Sequence, residues 1–372
     1  MTRREERCLL GIAQLEGIHQ KDITALMSFF GSAEEAWRKL GGSRGLLRKQ
    51  EKDFQKILAA KDRLDLDAVF ALKEKLAVKL TTLDDPDYPP YLRNIDDPPY
   101  MLYYRGELPP RERLSIAVVG ARACDDYGRA ATEKMVTDLV EFADVHIISG
   151  MAAGIDSAAH RAALAAGGFT TAFLGCGIDV VYPAGNSALY RELIEKGCVI
   201  TEYPFGIPPL SHHFPVRNRL ISGLSDGILV VQGRRGSGVI HTAGFGLDQG
   251  KNVYAMPGSV FSHLSESPHN LISMGQAKFA AGVEDILEDF IDVALVEKIK
   301  NRDSEEKDPT SLAESEGERV VIAELKKGRR TSDELIAASG LSVSELTSFL
   351  TVLEMEGMLS ETPGNTYMLI NH

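Results

Sequence analysis

The chain has 372 residues and a formal net charge of −12. That length suits two or three domains, and the charge taken whole argues against a polyanion binder. The acid is unevenly spread, however. Residues 1–79 hold 16 basic against 12 acidic side chains, whereas residues 284–318 hold 4 against 13, so the total decides nothing about any one site.

Cys8, Cys124, Cys176 and Cys198 are scattered without a C-x-x-C pair, the pattern of reduced thiols in a cytoplasmic protein. No apolar run approaches the ~18 residues of a membrane span, and no signal-peptide pattern opens the chain. His212 and His213 are adjacent rather than at metal-ligand spacing. A cytoplasmic protein without membrane, metal or cofactor is expected.

Residues 1–79 read as a polar helical domain. Leu15-Glu-Gly-Ile18 joins two amphipathic stretches, and a helix is predicted over 33–40. This resembles a helix-hairpin-helix or SAM-like module. His19 stands where such hairpins usually carry their second glycine, so packing is favoured over DNA contact. Residues 80–110 are proline-rich and cannot form long helices. They read as an aromatic lead-in to a sheet, with Tyr88, Tyr91, Tyr100, Tyr103 and Tyr104 packing on it.

An α/β pattern then begins. Residues 116–119 form a continuous apolar, β-branched run, as in a strand buried on both faces. The run stops at Gly120, and a helix is predicted over 127–142 with Asp125 or Asp126 as its N-cap. A second strand over 145–148 runs into Gly150 and Gly154 before a helix ending at Gly167. Further strands are predicted over 170–174, 198–201, 227–231 and 252–256. The helices between them are capped by Asn186, opened by Pro215, and closed by Gly250. Six strands alternating with helices specify a doubly wound, mostly parallel α/β sheet with ligands at the strand carboxyl ends. This domain is expected to span 80–290.

Residues 291–317 are acidic and poor in apolar side chains, and read as a flexible linker. Residues 318–372 have a winged-helix outline. Helices are predicted to about 327, over 332–338 and over 342–356, the last opened by a Ser342/Glu345 capping box, and a hairpin turn comes next at Pro363-Gly-Asn365. The third helix carries Glu345, Glu354 and Glu356 and no Lys or Arg, which disfavours a major-groove role.

The usual nucleotide signatures fail. Gly250-Lys251 lacks the rest of a P-loop. The first turn is Gly120-Ala-Arg122 rather than G-x-G-x-x-G, and strand two ends without a ribose-binding acid. Anion-binding features nevertheless repeat around the sheet: Gly120-Ala-Arg122, Ser149-Gly150-Met-Ala-Ala-Gly154-Ile-Asp156, Phe214-Pro-Val-Arg217-Asn218-Arg219, and Ser237-Gly238-Val-Ile-His-Thr242. Each offers amide, hydroxyl or guanidinium donors near one edge. Such a set suits several phosphates in a row better than one small ligand.

The conjunction resembles the DNA-processing protein A (DprA, or Smf) family. The matching stretches are Asp97-Pro-Pro-Tyr-Met-Leu-Tyr-Tyr-Arg-Gly106, Val119-Gly-Ala-Arg122, the Ser149–Asp156 run with His160, Gly175-Cys-Gly-Ile-Asp-Val-Val-Tyr-Pro183, Phe214–Arg219, Ser237-Gly238 with Thr242, and Met256-Pro-Gly258. The match covers roughly residues 80–285. It implies an extended Rossmann domain that binds single-stranded DNA, dimerises with itself, and loads RecA during natural transformation, with no catalytic residue. DNA contacts are then expected from Gly120, Arg122, Ser149, Gly150, Gly154, Phe214, Arg217, Asn218, Arg219, Ser237, Gly238 and Thr242. Ala121, Ala153, Gln232 and Val239 depart from the family pattern.

Competing roles are open for several of these. Arg122 and Arg217 could instead pair with Asp156 or Asp179, and Arg219 and Asn218 could be buried by a helix start. Phe214 could stack a base or simply pack. Asp156 is expected to anchor a helix N-terminus, and His160 to hydrogen-bond in the core. The rival function is a nucleotide-binding or nucleotide-cleaving enzyme related to the lysine-decarboxylase-like phosphoribohydrolases. The nearest counterpart of their signature, Gly236-Ser-Gly-Val-Ile-His-Thr242, lacks its closing Glu.

Overall fold

The computed structural model describes residues 1–110, 113–291, 309–328, 330–355, 358–362 and 365–369. They form two compact units, Met1–Ile286 and Leu287–His372.

The first unit opens with six helices: α1 (Arg3–Gln14), α2 (Gln20–Phe30), α3 (Ala33–Lys39), α4 (Arg44–Leu47), α5 (Glu51–Arg63) and α6 (Leu66–Lys75). Gly17 supplies the positive φ that the turn between α1 and α2 requires. The apolar faces of these helices do not close on themselves. Leu9, Ile12, Ile23 and Leu26 share one core with Met101, Tyr103, Ile178 and Phe205 from the α/β region.

Nine strands make up the sheet: β1 (Lys79–Thr82), β2 (Met101–Gly106), β3 (Ser115–Val119), β4 (His146–Ser149), β5 (Thr170–Phe173), β6 (Cys198–Thr201), β7 (Gly227–Val230), β8 (Asn252–Ala255) and β9 (Lys278–Phe279). Their order in the sheet is β1-β2-β6-β5-β4-β3-β7-β8-β9. β1, β2 and β6 pair antiparallel, and the pairs from β6 across to β9 are parallel. The helices on the parallel part are α7 (Asp126–Ala143), α8 (Ile155–Ala165), α9 (Ser187–Lys196), α10 (His213–Leu224), α11 (Val239–Asp248), α12 (Glu266–Ser273) and α13 (Glu284–Leu287).

The six expected strands are present, and the fold is the doubly wound, mostly parallel sheet that the pattern specifies. The other three come from segments with weak periodicity. The prolines of the lead-in lie between β1 and β2 or, at Pro109 and Pro110, after β2, which leaves Met101–Gly106 free to pair with β6. Tyr88, Tyr100 and Tyr103 are buried, as expected of that segment, whereas Tyr91 is 41% exposed.

Capping separates the alternatives left open by sequence. The Asp125 side chain accepts from Gly128 N at 2.9 Å, which starts α7. Asn186 precedes α9 but does not cap it with its side chain. Its amide nitrogen instead donates to Met151 O and Ser157 Oγ, tying the glycine-rich turn after β4 to the turn before α9. α10 begins at His213, two residues ahead of Pro215. The first-turn amides need no partner inside the helix, so proline is tolerated there too.

In the second unit α14 (Glu316–Lys326), α15 (Ser332–Ser339) and α16 (Val343–Met355) accompany β10 (Arg330–Thr331), β11 (Leu359–Thr362) and β12 (Thr366–Leu369). The small sheet has the order β10-β12-β11. Val321, Leu325, Leu335, Leu346 and Leu353 fill its core. This is a winged-helix arrangement, with the expected Ser342/Glu345 capping box closed in both directions. Most of the expected linker, Glu356, and Pro363 and Gly364 of the expected turn lie outside the described residues. No single described helix is long and apolar enough to cross a membrane.

Candidate nucleic-acid interface

The chain runs outward from β3 through β4, β5 and β6, then returns to place β7 on the other side of β3. Where the winding direction reverses, neighbouring crossovers leave on opposite faces and a crevice opens at the strand carboxyl ends. A cleft of about 520 Å³ lies there, reached by the turns after β3 and β7 and by the starts of α8, α10 and α11. Three helix N-termini thus converge on one opening. The partial positive charge of those ends favours an anion.

Eight of the twelve expected contact residues line this cleft: Gly120, Arg122, Phe214, Arg217, Asn218, Ser237, Gly238 and Thr242. Arg122 is exposed, and its guanidinium lies over the Phe214 ring at 4.8 Å from the centroid. Phe214 is half-buried, with the Tyr182 ring 5.5 Å away. A cation held on an aromatic face beside open space is a geometry that serves both a phosphate and a base.

Gly120 and Gly154 are required by close packing. A Cβ on Gly120 would meet the Ile155 side chain at 2.4 Å. One on Gly154, where φ is +81°, would meet Ala121 O at 2.2 Å. The turns after β3 and β4 are therefore pressed together, and Ile155 N donates to Ala121 O at 3.2 Å.

The remaining expected residues are placed elsewhere. Ser149 is fully buried, and its hydroxyl donates to Val118 O at 2.7 Å. Gly150 lies behind Arg217, whose guanidinium a Cβ there would meet at 2.5 Å. Arg219 lies outside the cleft. It makes a bidentate pair with Glu202 at 2.7 and 2.8 Å, both side chains being almost fully buried.

Arg217 needs a different account from the one its motif suggests. It sits inside α10, not on a turn, and is 3% exposed. Its guanidinium donates to Gly150 O at 2.9 Å, to Phe173 O and to Asn218 Oδ1. It thereby fastens α10 to the ends of β4 and β5. Burial lowers its pKa to about 10, with Asp156 opposing that shift, so it stays charged at neutral pH. Asp156 in turn accepts from Gly150 N at 3.2 Å and Ala152 N at 3.4 Å, the expected N-terminal anchor. Burial raises its pKa against the pull of Arg217 and of those amides. His160 is a core residue as expected, its Nδ1 2.7 Å from Thr170 Oγ1.

Sequence reasoning missed Tyr182, which lines the cleft, although Tyr182-Pro183 stood in a matched motif. It also missed Arg234 and Arg235, both exposed, on the loop that leads from β7 to Ser237. Among the described residues no group of three or more His, Cys, Asp or Glu side chains gathers to hold a metal.

The family model described as DNA recombination-mediator protein A matches residues 79–291, and one described as the DprA winged helix domain matches residues 305–365. The DNA processing protein DprA of Streptococcus pneumoniae is 41% identical over 187 residues, covering 50% of this chain and 65% of that protein. A solved structure of DNA processing protein A from the same species superposes with a TM-score of 0.67 at 33% identity, covering 78% of this chain and 99% of that one. A Helicobacter pylori DNA processing protein A, whose structure addresses its mode of single-stranded DNA binding, matches with a TM-score of 0.50 at 26% identity. It covers 56% of this chain and 94% of its own. With the matched region covering the whole doubly wound sheet and its cleft, the chain belongs to the DNA recombination-mediator protein A family.

Proposed function

We propose that the protein binds single-stranded DNA at the carboxyl edge of its sheet, works as a homodimer in the cytoplasm, and delivers the strand to RecA during natural transformation. The observation that carries this reading is the exposed Arg122 guanidinium seated on Phe214 at the mouth of a cleft fed by three helix N-termini. The Helicobacter pylori relative, whose solved structure addresses its single-stranded DNA binding mode, supports the same chemistry. The contacts assigned to the strand are Gly120, Arg122, Phe214, Asn218, Ser237, Gly238 and Thr242, with Arg217 holding the floor. The strand is handed on intact, because Asp156, the carboxylate of the cleft, is engaged by backbone amides and by the charge of Arg217.

The test is affinity for single-stranded and duplex oligomers at matched salt, with Mg²⁺ present. Single strands should bind more tightly and be recovered uncut. Their affinity should fall with salt at a slope of about −0.7 per phosphate neutralised. Arg122→Ala should weaken binding about ten- to hundred-fold, the equivalent of a charged hydrogen bond of about 1.5–3 kcal/mol, with an unchanged melting curve. Equal affinity for duplex and single strands would overturn the proposal.

The winged-helix unit is assigned a role other than strand binding. The side chains of Glu345 and Glu354 on α16 are negative, and a polyanion is repelled by them. Removal of the chain beyond Asp303 should leave single-strand affinity essentially unchanged by anisotropy. A large loss from the folded remainder would reassign that unit to the DNA path.

A further inference from the structure

Past the cleft, toward β8, the turn after that strand carries Val260 and Phe261, 81% and 94% exposed. An aromatic ring left almost wholly in water costs solvation free energy unless something covers it. The tip is not a frayed end. Phe261 N donates to Ser259 Oγ at 3.2 Å, and Ser262 N to Ser259 O at 3.0 Å. The base of the turn is tied to α7 by Tyr127 Oη donating to Pro257 O at 2.6 Å. The ring is therefore presented by an ordered turn.

Its neighbours are basic. The loop after β7 is stitched to the segment just beyond Phe261: Gly233 N donates to Leu264 O at 2.6 Å, and Ser267 N to Gly233 O at 2.8 Å. Arg235 N donates to Glu266, whose carboxylate also meets His263. That loop holds the exposed Arg234 and Arg235 and continues directly into Ser237 and Gly238 of the cleft. Strand order places these features in a row. Tyr182 and Phe214 lie at the β5 side, Arg122 at β3, the arginine loop at β7 and Phe261 at β8. The row crosses four strand spacings, about 19 Å at about 4.8 Å each.

Alternating aromatic faces and guanidinium groups along one edge are what a single strand needs. Phosphates follow the cations while successive bases stack. Resting on the strand-binding reading of the cleft, we infer that the Val260–Phe261 turn is a second stacking platform, which takes a base of the same strand downstream of the cleft. The strand then crosses the arginine loop between its two aromatic anchors.

The full chain, Phe261→Ala and Arg122→Ala are to be titrated against thymidine oligomers from about 4 to about 16 nucleotides, the range of single-strand site sizes. Phe261→Ala should match the parent on the shortest oligomers and lose on the order of ten-fold affinity on the longest. Arg122→Ala should lose at every length. In a Phe261→Trp variant the introduced indole should be quenched by long oligomers only, against the constant signal of Trp37, the chain's one tryptophan. Equal affinity of parent and Phe261→Ala at every length overturns the platform and leaves the strand-binding reading standing. A parent that binds no single strand overturns both. Unchanged affinity with an altered mass by light scattering would give the tip to a protein partner, and overturns the platform as well.

Discussion

Replacing Arg217 with alanine should destabilise the first unit by about 3–5 kcal/mol, the usual cost of removing one partner from a buried charge system. The guanidinium is almost inaccessible and satisfies the carbonyls of Gly150 and Phe173. Without it, both carbonyls lose a buried donor, and Asp156 loses the cation that favours its charged form. Lysine should rescue only part of the loss, because one ammonium cannot reproduce a planar fork of donors. Urea unfolding of the parent, Arg217→Ala and Arg217→Lys measures this. The diagnostic comparison is with Arg122→Ala, which should lose DNA and keep its midpoint. If Arg217→Ala keeps its midpoint and loses only DNA affinity, the side chain is a ligand contact and its fastening role is wrong.

Acid should begin to destabilise the same unit before its carboxylates titrate. His146 and His160 are fully buried beside Thr171 and Thr170, and burial lowers both pKa values from 6.5 to about 3. Below pH 6.5 the unfolded chain takes up two protons that the folded chain refuses. Stability is therefore whole above pH 6.5 and falls as pH drops toward 3, by about 1.4 kcal/mol per pH unit for each imidazole. Asp156 acts in the opposite direction, since its raised folded pKa binds a proton early. The expected net slope lies between one and two protons per molecule from pH 6 to pH 4.5, read from urea midpoints across that range. A His160→Asn variant should show about one proton less. A flat profile over that interval would mean that the imidazoles are reached by water or already charged in the native state.

The parallel core was legible because its signals are local. Ser115–Val119 and Cys198–Thr201 are apolar runs ended by glycine or by a turn, and the expected spans differ from the observed ones by at most one residue at an end. Strand order was not legible, because nothing in a strand names its neighbour. The crevice between the turns after β3 and β7 therefore emerged only with the fold. Phe214–Arg219 shows the same limit at a finer scale. The motif offered both of its arginines as DNA contacts, with burial by a helix start open for Arg219, but a helix turns about 100° per residue. Arg217 and Arg219 accordingly face different parts of the structure, one beneath the cleft and the other against Glu202. Phe261 escaped notice because a lone aromatic in a Ser-rich turn carries no periodicity. Its exposure becomes meaningful only beside the arginine loop that hydrogen bonds draw up against it.

The shared core of the helical layer and the sheet constrains how the chain can be cut. Gln14 and Gln20 reach across to Phe205 O and Glu202 O at 2.8 Å each, and Gln20 also accepts from Met101 N. A fragment starting at residue 80 would present Met101, Tyr103, Ile178 and Phe205 to water as one sticky face and strand those backbone groups. It would also loosen Glu202, the anchor of Arg219, and through it the helix that carries Phe214. For expression, crystallisation or display, the helical layer and the sheet make one indivisible module, and the place to divide the chain is beyond residue 291, past α13 with its buried Ile286 and Leu287.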